Sequence, residues 1–308
     1  MNAIIVENLT KIYKGGKGVE DLTFSIGKGE VVSLLGPNGA GKTTTVRMLS
    51  GMIAPTSGKG EVLGQDILIN SIEIHKYIGL LTETPGFYEN MSLMFNLKFF
   101  GSFYEGIDLE GNIEKYMSEL GLSDRADDLV SSLSKGLKQR LAICRALVHE
   151  PRILFLDEPT SGLDPEAAAD IRLIVKELKN QGRTILICTH NLEEADELSD
   201  RIAIIKGRLI EMKSQKEIKE KYFNKKLVVS AKGISQKTIN TLENIEGVKS
   251  VYMTEIGIEI ETLQNSDLRQ IILKELTNSG ADIIEFYEKS ASLEDAYLKI
   301  VSSGENDE

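Results

Sequence analysis

The residues with the plainest chemical potential are consecutive: Gly36-Pro37-Asn38-Gly39-Ala40-Gly41-Lys42-Thr43, followed by Thr44. Val31-Val32-Ser33-Leu34-Leu35 precedes them and Thr45-Val46-Arg47-Met48-Leu49 follows, so they read as a loop between a strand and a helix. Glycine lets the backbone wrap closely, and successive N–H groups then point, with the helix N-terminus, at one anion. Lys42 can reach β- and γ-phosphates as a point charge, and the Thr43 hydroxyl is placed to ligate Mg²⁺. The chemistry implied is the binding of a nucleoside triphosphate. Further along, Ile153-Leu154-Phe155-Leu156 is a short apolar run ending in Asp157 and Glu158, and a second run, 183–189, precedes His190. Buried parallel strands have this composition, and active groups collect at their carboxyl ends.

The elements that must position these residues follow from periodicity. Residues 4–13 and 19–26 mix β-branched and polar residues as strands do, residues 55–60 read as a turn, and 61–63 and 77–81 as further strands. From 84 to about 150 the pattern is mainly helical. One amphipathic stretch begins with Met94, Leu97, Lys98 and Phe100, and another spans 113–120 with Tyr116 and Met117, whose bulky side chains read as core. Helix at 165–179, strand at 183–189 and helix at 191–198 give an alternation that implies an α/β fold with a largely parallel sheet.

Near Ser214 the composition becomes more charged and the alternation changes. Strand 226–232, helix 235–245, a hairpin of 248–254 and 256–262, helix 267–277 and strand 281–287 follow in the order β-α-β-β-α-β, which is ferredoxin-like. Ser292-Leu293-Glu294-Asp295 announces a final helix. No cluster in this region suggests chemistry, so it reads as a regulatory or interaction domain.

Composition narrows the rest. The 308 residues, 41% hydrophobic, suffice for a real core, and a net charge of −11 with no basic stripe argues against a nucleic-acid partner. Cys144 and Cys188 lie in apolar runs and read as reduced core thiols. The longest apolar runs are strand length, and Met1-Asn2-Ala3 opens no signal peptide, so a cytoplasmic protein is expected, with membrane contact only through a partner.

The phosphate loop alone does not separate a kinase, a GTPase and an ATPase. Leu133-Ser134-Lys135-Gly136-Leu137-Lys138-Gln139-Arg140, then Ile153 to Asp164 with the core Asp157-Glu158-Pro159-Thr160-Ser161-Gly162-Leu163-Asp164, then Thr189-His190, make the difference. In this order they closely resemble the signature sequence, Walker B segment, D-loop and switch histidine of ABC-type ATPases. The resemblance covers residues 1 to about 213 and implies a P-loop NTPase (RecA-like) core with an N-terminal antiparallel β subdomain and a helical subdomain. The expected organisation is an ATP-binding domain at 1–215, its helical subdomain at about 84–150, an α+β accessory domain at 222–301 and a flexible tail at 302–308.

The same resemblance assigns roles. Asp157 should hold Mg²⁺ through water and Glu158 should polarise the attacking water. His190 should sense the γ-phosphate, and Tyr13 should stack on adenine. Ser134 and Gly136 should bind the γ-phosphate held by a second ATPase subunit, with Asp164 along the seam, giving a two-fold homodimer around two ATP molecules. A separately encoded membrane permease is the further partner, placing the protein peripherally at the cytoplasmic face of the membrane.

Three positions depart from the family pattern. Lys135 replaces the first glycine of L-S-G-G-Q, Leu137 replaces its glutamine, and Glu83 replaces a glutamine that touches Mg²⁺ and couples to the membrane subunit. Lys135 still offers an amide and adds a cation, and a carboxylate at 83 can still ligate Mg²⁺. These departures resemble a bacterial and archaeal subgroup serving drug and antimicrobial-peptide exporters, which implies permease docking through the region from Glu83 to Tyr88. A soluble ABC-type ATPase acting on ribosomes or DNA, and an ATP-dependent switch without useful turnover, stand as alternatives. The acidic balance weighs against the first.

Overall fold

The computed structural model describes residues 1–222, 225–263, 267–289 and 293–303, in two compact units, Met1–Ser214 and Gln215–Glu308. In the first unit, β1 (Asn2–Ile12) and β2 (Gly18–Gly27) pair antiparallel before the chain enters β3 (Val31–Leu35) and α1 (Lys42–Leu49). It returns through β4 (Ser57–Val62) and β5 (Gln65–Asp66), completing an antiparallel sheet of order β2-β1-β4-β5. Strand β4 runs through the segment whose glycines signal a turn. A Cβ at Gly58 would lie 2.1 Å from the Asn8 carbonyl oxygen, and one at Gly60 2.6 Å from Ile67 Cδ1. These glycines permit close approach within the sheet instead of reversing the chain.

After α2 (Ser71–His75) comes β6 (Ile78–Leu81), then a helical stretch of α3 (Leu93–Gly101), α4 (Leu109–Glu119) and α5 (Lys135–Leu147). The chain continues as β7 (Ile153–Asp157), α6 (Pro165–Asn180), β8 (Thr184–Thr189), α7 (Leu192–Leu198), β9 (Arg201–Ile205) and β10 (Leu209–Ser214). The six-stranded sheet has order β10-β9-β3-β8-β7-β6, parallel except for β10, which closes one edge in the antiparallel sense. Strands β9 and β10 have no counterpart among the elements read from periodicity. The apolar Ile202-Ala203-Ile204-Ile205 is followed at once by a turn, and β10 is half-buried throughout, so neither alternates.

Every residue of β3, β7 and β8 is buried, because helices cover both faces of this sheet. Phe155 is fully buried and packs with Val46, Met48, Leu186 and Ile205 on one face. On the other, Leu154, Leu156 and Ile187 meet Leu141, Ile143, Tyr116 and Ile171. Tyr116 and Met117 are core, as is Leu97, whereas Phe95 and Phe103 on and just after α3 are exposed.

The second unit begins with the charged α8 (Gln215–Tyr222), followed by β11 (Lys225–Lys232), α9 (Gln236–Glu243), β12 (Val248–Thr254), β13 (Gly257–Thr262), α10 (Arg269–Asn278), β14 (Asp282–Lys289) and α11 (Leu293–Ser303). Its strands form an antiparallel sheet of order β12-β13-β11-β14, the ferredoxin-like arrangement. A separate core of Leu227, Val229, Ile239, Leu242, Ile258, Ile260, Ile272 and Leu276 supports it. Helix α11 runs to Ser303, past the expected start of the tail; residues 304–308 and the expected cap Ser292 lie outside the described residues.

Phe155→Ala is expected to lower unfolding stability by about 3–5 kcal/mol, because β7 is covered on both faces and cannot collapse around the void. Guanidinium denaturation should show a lower midpoint, and an unchanged midpoint would contradict this packing.

Candidate active site

The loop from Gly36 to Gly41 is shaped by what surrounds it. A Cβ at Gly36 would sit 2.3 Å from the Ile205 carbonyl oxygen, and one at Gly41 would sit 1.9 Å from Val19 Cγ1. Gly41 also has a φ of 99° as it enters α1, a region that side chains other than glycine enter at a cost. Lys42, the first residue of α1, is buried; its Nζ donates to the carbonyls of Gly36 (2.7 Å) and Pro37 (3.3 Å). The same ammonium lies 3.3 Å from Glu158 Oε1. The lysine of this glycine-rich loop and the acid just past β7 therefore share one point in space.

Two backbone bonds fix that convergence. The Gly36 amide donates to Thr189 O (3.3 Å), and the Glu158 amide donates to Cys188 O (2.8 Å). Glu158 has a φ of 53°, which turns its side chain away from the line of β7 at the cost of backbone strain. His190 Nδ1–H donates to Glu158 Oε2 at 2.8 Å. A carboxylate can only accept, so this bond puts the proton on Nδ1 and leaves Nε2 of a neutral imidazole as an acceptor.

Asp157 is 3% exposed, and one of its carboxyl oxygens, Oδ1, has no hydrogen-bond partner. Burial raises its carboxyl above the usual range, and the charges of Glu158 and Glu83 add to the rise, while the Thr43 hydroxyl bond and Lys42 oppose it. Thr43, Asp157 and Glu83 thus bring hard oxygen donors and excess negative charge to one place, which suits Mg²⁺. That ion typically takes one or two carboxylates and completes its shell with phosphate and water. Among the described residues no group of three or more His, Cys, Asp or Glu is arranged to hold a metal without such help.

A cleft of about 420 Å³ is lined by Tyr13, Asn38, Gly39, Ala40, Gly41, Lys42, Thr43, Thr44, Glu83, Glu158 and His190, all singled out from sequence. Lys17, Gly18 and Ser161 also line it and were not. The signal for Lys17 was present in Gly15-Gly16-Lys17-Gly18 beside Tyr13, since the Tyr13 amide bonds Lys17 O (2.8 Å) across the β1–β2 turn. Tyr13 remains 40% exposed, with the Lys11 ammonium 5.7 Å from its ring centre.

Ser134, Gly136 and Asp164 do not line this cleft. Ser134 caps α5, accepting from the Leu137 amide (3.3 Å), and Asp164 caps α6, accepting from the Ala167 amide (2.9 Å). Leu137 packs against the main core, and the neighbouring Gln139 Nε2 donates to Pro159 O (2.7 Å), tying α5 to the loop after β7. Lys135 reaches Gly162: its Nζ occupies the space that a Cβ there would need.

Comparison with known proteins finds two family models in the chain. One described as ABC transporter matches residues 19–161, and one described as ATP-binding protein DrrA1-3-like, C-terminal domain, matches residues 214–301. The bacitracin transport ATP-binding protein of Bacillus licheniformis is 35% identical over 99% of both chains. A fluoroquinolones export ATP-binding protein of Mycobacterium tuberculosis is 40% identical over 65% of this chain and 66% of its own. Among solved structures, an ATP-binding subunit of an ABC transporter superposes with a TM-score of 0.65 at 30% identity, covering 71% of this chain and 93% of that one. An ATP-binding cassette in its ADP conformation gives 0.64 at 27% identity, over 70% and 92%.

Gly41→Ala is expected to weaken binding of a fluorescent ATP analogue by about 10-fold or more, because strain of roughly 1–3 kcal/mol falls on the loop itself. Wild-type affinity in a titration would show that Val19 gives way without disturbing the loop.

Proposed function

Because this chain belongs to the ABC transporter family of ATP-binding, ATP-hydrolysing proteins, we propose that it closes as a two-fold dimer around two Mg-ATP and so drives a separate exporter-type permease. The observation that carries the proposal is a half-complete cleft. Lys42, Glu158 and His190 meet past the ends of β3, β7 and β8, with Asp157 buried beside them, whereas the signature residues Ser134 and Gly136 lie outside the cleft of their own chain. An isologous dimer brings the α5 N-terminus of each subunit to the cleft of the other.

Within each site, loop amides and Lys42 hold the triphosphate, and Tyr13 stacks on the base. Thr43 and Asp157, with Glu83 beside them, would hold Mg²⁺, which would supply positive charge against the phosphate oxygens. Glu158 accepts a proton from the attacking water, a contribution of about 10²- to 10⁴-fold in rate. His190, oriented through Nδ1 by Glu158, presents Nε2 as an acceptor for a proton of the attacking water. Hydrolysis removes the bridging phosphate and opens the dimer.

An aromatic face supports permease docking. Phe99 meets Tyr88, Phe100 and Phe103 edge-on, and the Arg145 guanidinium lies 4.7 Å from the Phe87 ring centre and 4.6 Å from that of Phe100. A neighbouring groove of about 290 Å³ is lined by Phe100, Phe103, Tyr104 and Arg145. Among the described residues Arg145 has no carboxylate partner; it bonds the Gly86 carbonyl (3.2 Å), and burial lowers its pKa. The groove suits a short apolar segment of the permease that carries an acid. No helix among the described residues is long and apolar enough to cross a membrane.

Glu158→Gln should slow phosphate release by roughly 10²-fold or more while ATP still binds, and should trap a dimer in size-exclusion chromatography with Mg-ATP. Unchanged turnover would remove Glu158 from the mechanism, and a monomer at saturating ATP would refute the shared site. Phe103→Asp should abolish co-purification with the multi-span membrane protein that accompanies the wild-type chain, and leave ATP affinity within about two-fold. Retention of that partner would place docking elsewhere.

A further inference from the structure

Glu194, in the middle of α7, is 0% exposed, and neither of its carboxyl oxygens has a partner of hydrogen-bond geometry. An isolated buried carboxylate is costly, so an acid is a poor choice where only volume has to be filled. Its surroundings lie directly behind the hydrolytic pair. The hydroxyls of Thr189 and Thr160 are near enough to act on it, Thr189 immediately precedes His190, and Thr160 lies two residues beyond Glu158. The Asn191 amide donates to Thr189 Oγ1 (3.0 Å), and Asn191 Oδ1 accepts from the amides of Glu193 (2.9 Å) and Glu194 (3.2 Å). The turn that carries His190 is thereby tied to the start of α7.

Among the described residues, two charged groups act on the Glu194 carboxyl. Glu158, from the loop after β7, repels a second negative charge, while Arg172, from α6, is engaged with Glu197 at 2.7 Å. Burial is the largest influence and raises the affinity of the carboxyl for its proton, Glu158 adds to this, and the threonine hydroxyls and Arg172 oppose it.

We propose that Glu194 is a positioning residue that acts as a neutral carboxylic acid, its O–H donating to one of the Thr189 and Thr160 hydroxyls and its carbonyl oxygen accepting from the other, so that His190 and Glu158 keep their geometry. The inference rests on the hydrolytic roles proposed above for Glu158 and His190. As a neutral acid it supplies a donor without placing a second negative charge behind Glu158. Ionised, it would lose that donor and add the charge. The bridge gives a physical route by which movement of the loop after β7 reaches the switch histidine.

The test uses the full chain with Glu194→Gln, the isosteric mimic of the neutral acid, and Glu194→Ala. In the wild type the proton is bound when folded and lost on unfolding. Its stabilising effect is therefore complete below the unfolded carboxyl pKa of about 4.3, and is lost as pH rises through the raised folded value. Glutamine lacks that slope, so the Tm of Glu194→Gln without nucleotide should gain on the wild type as pH rises from 5 and then level off. Parallel Tm curves, or a lower Tm for Glu194→Gln at every pH, would show an ionised, partnered carboxylate and overturn the proposal.

In Mg-ATP turnover, Glu194→Ala should lose on the order of 10- to 10²-fold in kcat at nearly constant KM, with glutamine restoring it. Equal kcat for Glu194→Ala at equal folded fraction, or a Glu194→Gln as impaired as the alanine variant, would also overturn the idea. Failure of the wild-type chain to hydrolyse ATP would count against the function proposed above, and the Tm comparison would still stand.

Discussion

The Glu158 amide donates to Cys188 O and the Gly36 amide donates to Thr189 O, and the cleft depends on this pair of bonds. They connect the first residue past β7 and the first residue past β3 to adjacent carbonyls at the end of β8. Each bond involves backbone, so the convergence does not depend on any side chain, and it sits where the parallel ladders of β3, β8 and β7 end. Their effect is to bring Lys42 within 3.3 Å of Glu158 and His190 within 2.8 Å of the same carboxylate.

The electrostatics follow from that geometry. Asp157 and Glu158 occupy neighbouring positions at a water-poor edge, and burial already drives Asp157 toward its neutral form. Lys42 compensates part of the negative charge, but its ammonium is shared with the carbonyls of its own loop. The site thus holds more carboxylate than its protein cation balances, a composition suited to a hard divalent ion arriving with phosphate. The positive φ of Glu158 is a second stored cost. Such strain persists only where the surroundings over-determine it, as the amide bond and the two side-chain contacts do here.

The same economy extends outward from the cleft. The loop after β7 touches α5 through Gln139 and Pro159 and touches Lys135 through Gly162, while α5 begins at Ser134. A disturbance at Glu158 therefore has short covalent and hydrogen-bonded routes to the signature helix. The aromatic surface formed by Tyr88, Phe95, Phe99 and Phe103 lies on and beside α3 of that helical stretch. Packed elements of this kind move as rigid bodies, so a change at the phosphate can reach the docking surface in the proposed mechanism.

Much of this was legible in the chain alone because the signals were local. A phosphate loop needs glycine at positions such as Gly41, and two-sided burial makes β3, β7 and β8 continuous apolar runs, so residue type and spacing identify them. The ferredoxin-like unit was likewise readable from alternation of strand and helix patterns, and its sheet order agrees. What was misread or missed depended on partners distant in sequence: Gly58 and Gly60 are strand glycines because Asn8 and Ile67 press against them, and β9, not read from the sequence, takes its place in the sheet by lying on β3. Phe103 looks no different in sequence from the buried Phe155. The sequence by itself determined the inventory of chemistry, the lysine, acids, histidine and hydroxyls in their order, because each sits in a motif a few residues long. Only the tertiary structure decided which of them share a cleft, that Ser134 and Gly136 do not, and that Glu194 is buried behind the pair, because those facts are set by sheet order and packing between segments far apart in the chain.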